Sequence, residues 1–203
     1  MKIIGLTGPS GAGKGALGAC FETCGVPVID TDRIYHDLLV PPSACLDELV
    51  SAFGPHILTS DGTLNRTALA TLVFAKGDEA NERHATLNRI THRHVIQKTD
   101  EMLEQFCNEG KSAVVIDAPL LIEAGMHRDC DIVVAVLADR DVRLERLMAR
   151  DGKGRDALLA RIEAQPSDEF YRAHANVVIE NNGDPSALSK AAGDILRRIG
   201  VLS

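Results

Sequence analysis

An α/β fold in three layers, with five parallel strands between two layers of helices, is predicted for this chain of 203 residues. Three observations predict it. Short apolar runs rich in β-branched residues recur along the chain without polar alternation, as strands covered on both faces require. Stretches of helical period lie between these runs. The first strand candidate also leads directly into a glycine-rich turn and a helix, a unit found at the strand ends of open parallel sheets.

The strand candidates are Ile3–Leu6, Val26–Ile29, Ala113–Ile116, Ile132–Leu137 and Val177–Ile179. Helical patterns cover Gly13–Thr23, Asp32–Leu39, Asp141–Arg150, Arg155–Gln165 and Pro185–Ile199. From about 43 to 110 the alternation stops. This stretch is polar and helical in pattern, with spaced apolar residues in Cys45–Phe53, Arg66–Phe74 and a long segment from Asp78 to Asn108. It reads as a helical insert into a core made of residues 1–42, 111–140 and 173–203. His84, His92 and His94 within it are either plain interhelical residues or part of an acceptor site. Residues from about 141 to 172 form a third segment. Seven arginines fall between Arg140 and Arg172, and Asp151-Gly152-Lys153-Gly154 interrupts the helical pattern. That combination reads either as a mobile lid or as a solvated helical face.

Between the first strand and first helix stands Gly8-Pro9-Ser10-Gly11-Ala12-Gly13-Lys14. Glycines let the backbone curl so that N–H groups point at an anion, and the helix that follows adds its amino-terminal N–H groups and positive dipole end. This is a phosphate-binding P-loop, with Lys14 reaching the outer phosphates of a nucleoside triphosphate. Gly8, Ser10, Gly11, Ala12, Gly13, Lys14, Gly15 and Ala16 are therefore candidate ATP-binding residues. The pattern expects Ser or Thr after the lysine, to contact Mg²⁺. Gly15 stands there instead, as in the Gly-Lys-Gly of adenylate kinases. Mg²⁺ keeps several waters and leans on substrate phosphates, so waters and one carboxylate could hold it.

Composition limits the partners. A chain of this length can bury roughly 70% of its unfolded surface in one domain. A net charge of −7 and an aromatic content of 3% with no Trp argue against a nucleic-acid partner, which needs a basic face or stacking platforms. No apolar run approaches a membrane span, and Met1-Lys2-Ile3-Ile4 has no signal-peptide character. Five cysteines with no CxxC pair suit reduced thiols. A cytoplasmic location is expected, and no oligomeric state is implied.

Acids at the strand ends supply the chemistry. The second strand ends in Asp30-Thr31-Asp32, and phosphoryl transfer to an alcohol needs a carboxylate to orient the hydroxyl and take its proton. Ligands of open sheets lie beyond the carboxyl ends of the strands, although Asp32 is also placed to cap the next helix. Four apolar residues precede Asp117, as in a Walker B strand, which makes Asp117 a candidate Mg²⁺ ligand, directly or through water. Arg146, Arg150 and Arg155 are candidates to stabilise charge on the transferring phosphoryl group. Asn181-Asn182-Gly183 is either a simple turn or a loop that meets an adenine edge, with Asn181 and Gly183 as the candidates.

These parts define a P-loop kinase of a small metabolite, and the chain resembles the dephospho-coenzyme A kinase family. The matching residues are Gly5 to Gly8 with the loop, Val28 to Asp32, Phe53-Gly54, Asp61 to Arg66 and Leu69. They continue with His92, Asp117 to Glu123, Arg146, Arg150, Arg155, Arg161 with Gln165, and Val178 to Gly183. The resemblance implies ATP-dependent phosphorylation of the ribose 3′-hydroxyl of dephospho-CoA. It implies Asp32 as the base, Lys14 and the loop on ATP, and the lid arginines at Arg146, Arg150 and Arg155. It also implies that the helical insert, with Arg66 and His92, helps bind the CoA moiety, and it extends the acceptor site to Pro119 and Leu120. Three departures stand out: Gly15-Ala16 for Ser-Thr, His92-Arg93 for His-Pro, and Ala175-Asn176 for Ala-Asp. A nucleoside or nucleotide kinase would carry an arginine-rich lobe straight after the second strand, which is not visible. A catalytically idle nucleotide-binding relative is disfavoured by the retained Lys14, Asp32 and arginines.

Overall fold

A computed structural model of the chain describes residues 1–75, 77–183 and 185–202. Among them, five strands form one sheet in the order β2-β3-β1-β4-β5: β1 (Lys2–Thr7), β2 (Val28–Asp30), β3 (Ala113–Asp117), β4 (Ile132–Leu137) and β5 (Val177–Glu180). Every pairing is parallel. β1 lies at the centre with Ile4 opposite both Val115 and Ile132. The chain leaves β1 toward β2 on one side and later crosses to β4 on the other, so the order reverses at β1, where such sheets bind ligands.

Continuous apolar character explains the central strands. All six residues of Ile132–Leu137 are buried, as are Ala113 to Ile116. Helices α1 (Lys14–Thr23) and α9 (Pro185–Arg198) pack together against one face, burying Leu17, Phe21, Leu188, Ala192, Ile195 and Leu196 against Ile4, Leu6 and Val134. On a second cluster Ile122 and Tyr171 meet Ala135 and Leu137.

Two differences from the sequence expectation have local causes. The second strand begins at Val28 rather than Val26, because the Val26 N–H is spent closing the end of α1 on the Phe21 carbonyl and Pro27 has no N–H to give. Helix α8 (Asp168–His174) adds to the expected elements; at seven residues, with Phe170 and Tyr171 adjacent, it offers no helical period to read. The remaining helices are α2 (Thr31–Asp37), α3 (Ala44–Phe53), α4 (Arg66–Val73), α5 (Asp78–Asn108), α6 (Arg140–Asp151) and α7 (Arg155–Glu163).

Residues 1–30 and 105–203 form one compact unit and residues 31–104 a second. The second unit has its own core of Leu39, Cys45, Leu49, Phe53, Ile57, Leu69, Val73, Leu87 and Ile90. Two of its helices, α3 and α4, start on side-chain caps: Ser43 Oγ accepts the Leu46 N–H and Asn65 Oδ1 accepts the Ala68 N–H. All five cysteines are free thiols.

Phe21 is fully buried between α1 and the sheet. Phe21→Ala is expected to cost about 3–5 kcal/mol in urea unfolding of the full chain; a loss under about 1 kcal/mol would show that α1 is not seated on the core.

Candidate active site

The loop after β1 has the backbone that its glycines allow. Gly8 lies at φ 135°, and a Cβ there would fall 2.1 Å from the Val136 carbonyl oxygen. Gly13 lies at φ 104°, with the Asn181 side-chain nitrogen 2.2 Å from where its Cβ would be. Only glycine fits either position. Gly13 opens α1 with no side-chain cap, so the helix keeps its amino-terminal N–H groups for another acceptor. The Lys14 ammonium folds back to the Gly8 carbonyl at 3.1 Å.

Three consecutive carbonyls of the loop are held from outside. Arg143 Nε donates to Ser10 O at 3.0 Å. Arg146 Nη1 donates to Gly11 O and Ala12 O at 3.4 and 3.3 Å, and Asn181 Nδ2 donates to Ala12 O at 2.8 Å. Gln165 closes the arrangement. Its Oε1 accepts the Ser10 N–H at 3.1 Å and Arg143 Nη2 at 2.8 Å, while its Nε2 donates to Ser10 Oγ at 3.1 Å. In a trans peptide the carbonyl and the next N–H point in opposite directions. Carbonyls pulled outward therefore turn the N–H groups of Gly11, Ala12 and Gly13 the other way. The Ala12 N–H closes a turn on Pro9 O, and the Gly11 and Gly13 N–H groups meet no protein acceptor among the described residues. The result is a cradle of donors for an anion.

Asp30 and Asp117 end β2 and β3 directly opposite one another in the ladder. Asp30 is exposed, whereas Asp117 is half-buried with Oδ1 shielded from solvent. Just beyond, the Pro119 carbonyl accepts a bond from Thr7 Oγ1 at 3.4 Å, and Leu120 is 50% exposed, unusual for a leucine in this chain. A Cβ on Gly15 would meet nothing within 4 Å. Among the described residues no three His, Cys, Asp or Glu side chains cluster as a metal cage. Two neighbouring carboxylates of hard oxygen beside a phosphate cradle nevertheless suit Mg²⁺, which takes few protein ligands.

α6 and α7 form a hairpin around Leu144, Leu147, Leu158 and Ile162. Asp151, at its bend, takes Arg150 Nε at 2.6 Å and Arg161 Nη1 at 3.0 Å. The bond from Arg150, reinforced by the charges of Arg150, Arg161 and Lys153, holds the Asp151 carboxyl below its ordinary pKa. Arg155 is exposed at the first position of α7, and Gly183 is exposed beyond β5. Arg146, expected on the transferring phosphoryl group, lies against the loop's carbonyls, and Asn181 does the same. Asn182 Oδ1 accepts the Asp139 N–H at 2.8 Å.

In the second unit, Asp32 is exposed in the first turn of α2, where a carboxylate also suits the helix dipole. Arg66 begins α4 and meets His36 Nδ1 at 3.1 Å. His92 is half-buried on α5. His94, by contrast, is committed to Glu48, bonding its carboxylate at 2.9 Å beside Arg93. That bond and the Arg93 charge lower the Glu48 pKa.

A glycine loop with its lysine at a helix start, placed where a parallel sheet reverses its order, defines a P-loop nucleotide-binding protein of the small-kinase type. The comparisons carry this further. The family model described as dephospho-CoA kinase matches residues 2–186, and this chain belongs to that family. A dephospho-CoA kinase from Corynebacterium efficiens is 38% identical over 199 residues, covering 98% of both chains. A crystal structure from Thermus thermophilus superposes with a TM-score of 0.81 at 31% identity, over 98% of this chain and 97% of the other. Dephospho-CoA kinase from Campylobacter jejuni shares the fold, with a TM-score of 0.70 at 23% identity over 98% of each chain.

Gly13→Ala is expected to weaken ATP binding at least about 100-fold by calorimetry, since strain and the clash with Asn181 together exceed roughly 2.7 kcal/mol. Affinity within threefold of wild type would show that the loop tolerates a side chain there.

Proposed function

We propose that this chain transfers the γ-phosphoryl group of ATP to the ribose 3′-hydroxyl of dephospho-CoA, giving CoA and ADP, the last step of CoA biosynthesis. The observation that carries this reading is the family match across residues 2–186, which takes in the loop, the strand-end acids and the arginine hairpin together. A nucleoside or nucleotide kinase is not favoured, because the match extends over nearly the whole chain.

In this reading the loop from Gly8 to Ala16 and Lys14 hold the triphosphate, with Gly183 toward the adenine side and Asn181 supporting the loop through the Ala12 carbonyl. Asp32 orients the acceptor hydroxyl and takes its proton as the new P–O bond forms and the bond to ADP breaks. Arg150 and Arg155 offset charge on the transferring group, and Arg146 contributes by holding the loop's carbonyls outward. Arg66, His92, Pro119 and Leu120 contact the acceptor. Asp117, directly or through water and with Asp30 beside it, would hold Mg²⁺. When bound, the ion neutralises charge on the β- and γ-phosphate oxygens. No helix among the described residues is long and apolar enough to cross a membrane; a cytoplasmic location and two small anionic substrates are part of the proposal.

The direct test is ADP formation from ATP with dephospho-CoA at millimolar Mg²⁺. Turnover that requires dephospho-CoA is expected, whereas turnover only with AMP or CMP would replace the reading. Asp32→Asn should lower kcat at least about 100-fold while ATP affinity stays within about threefold; kcat within threefold would remove Asp32 as the base. Open space beside Gly15 allows Gly15→Ser to restore a hydroxyl with stability within about 0.5 kcal/mol. The Mg²⁺ concentration at half-maximal rate should fall at least about threefold, roughly 0.7 kcal/mol. No fall would mean that this chain holds the ion without help from that position.

A further inference from the structure

Arg143 stands apart from the other hairpin arginines. It is 6% exposed and uses its guanidinium on Ser10 O and on Gln165 Oε1. Among the described residues no carboxylate bonds to it; Asp168 and the Tyr171 hydroxyl are the titratable groups near enough to act on it through space. Gln165 lies two residues past the end of α7, and all its amide atoms are engaged, with Ser10 N, Ser10 Oγ and Arg143. The peptide groups on both sides of Ser10 are thus gripped, the N–H by Gln165 and the carbonyl by Arg143. Leu144 and Leu147 of α6 pack on Leu158 and Ile162 of α7, so the two grips sit on one small hydrophobic body.

We propose that Arg143 and Gln165 are paired positioning residues that couple the α6–α7 hairpin to the phosphate loop. By fixing the Ser10 peptide they preset the turn that aims the Gly11 and Gly13 N–H groups at the phosphates. A buried guanidinium without a carboxylate partner also places a positive charge behind the cradle. Neither residue is asked to touch the reacting atoms. The geometry has a direct consequence for a hairpin that moves. Displacing the end of α7 pulls Gln165 off Ser10 and strips Arg143 of one of its two acceptors, so phosphate affinity and hairpin position are linked. The proposal rests on the reading of the loop as an ATP cradle, and its test is chosen to separate the two.

Inorganic tripolyphosphate probes the cradle without acceptor, adenine or turnover. Gln165→Ala and Arg143→Lys in the full chain are each expected to raise its Kd about tenfold by calorimetry. Each should raise KM for ATP to match, with kcat and KM for dephospho-CoA within about threefold. Charged-group hydrogen bonds of this kind are large enough for such a change. Arg143→Lys keeps the charge and loses the two-acceptor fork, so its effect isolates geometry. Gln165→Glu serves if Gln165→Ala fails to fold. It still accepts from Ser10 N–H and Arg143 but adds a negative charge behind the loop, and it should weaken tripolyphosphate at least as much. Unchanged tripolyphosphate binding in the variants would overturn the proposal. So would a uniform loss in kcat, both KM values and thermal midpoint, which a merely structural role produces. If wild type binds tripolyphosphate and the variants lose it, but dephospho-CoA elicits no ADP, the clamp stands and the assigned reaction falls.

Discussion

The direction of three peptide groups, those joining Ser10 to Gly13, is the constraint on which this site depends. A curled loop can present either its carbonyls or its N–H groups inward, and only the second arrangement attracts phosphate. Here the choice is made by donors outside the loop. Arg143, Arg146 and Asn181 take the carbonyls of Ser10, Gly11 and Ala12, and planarity of the peptide turns the following N–H groups the opposite way. Glycine supplies the permission to curl, and arginine and asparagine supply the direction.

Those donors reach the loop because the sheet is parallel and in register. β1, β4 and β5 are adjacent, with Thr7 opposite Ala135 and Leu137 opposite Glu180. The chain leaving each strand therefore emerges on the same edge. β1 delivers the loop, β4 delivers α6 with Arg143 and Arg146, and β5 delivers Asn181. The Val136 carbonyl presses so close to Gly8 that the loop and β4 share a surface with no room for a Cβ. The fully apolar Ile132–Leu137 strand, buried along its length, thus has a second task besides filling the core: it sets the height at which the arginines meet the loop.

Most of this arrangement was legible in the sequence, and what was not legible has physical reasons. The loop, the strand-end acids and the long helix Asp78–Asn108 follow from glycine spacing, apolar runs and helical period, which are local signals. β2 starts later than its apolar run implies because Pro27 truncates the ladder, an effect of a missing donor rather than of hydropathy. Arg146 and Asn181 were picked out by sequence, but their grip on the loop's carbonyls depends on strand register and was invisible there. Arg143 carried a usable clue, since it shares a helix face with Leu147 four residues on, and a charge on an apolar face asks for a buried partner. Gln165 carried none beyond its place in the family resemblance. Its partners lie 155 and 22 residues away in sequence.

The charge balance of the unit gives these contacts a further meaning. The chain as a whole carries −7, and several arginines of this unit are matched to acids nearby: Arg140 with Glu163, Arg150 and Arg161 with Asp151, Arg172 with Glu180. Arg143 and Arg146 behind the loop have no such ion pair among the described residues, and of the two only Arg143 is buried. Burial lowers its pKa and so opposes its charge, with Asp168 offering only distant compensation. A guanidinium nonetheless stays protonated in proteins, so the desolvation cost persists in the unliganded protein. On the proposed coupling of Arg143 to the loop, a triphosphate bound at the Gly11 and Gly13 N–H groups would supply a counter-charge across the Ser10 peptide, and the unit that holds the loop would gain stability from its anion by mass action. An acidic protein can bind a highly anionic substrate in this way, by keeping one buried cation unmatched until the substrate arrives.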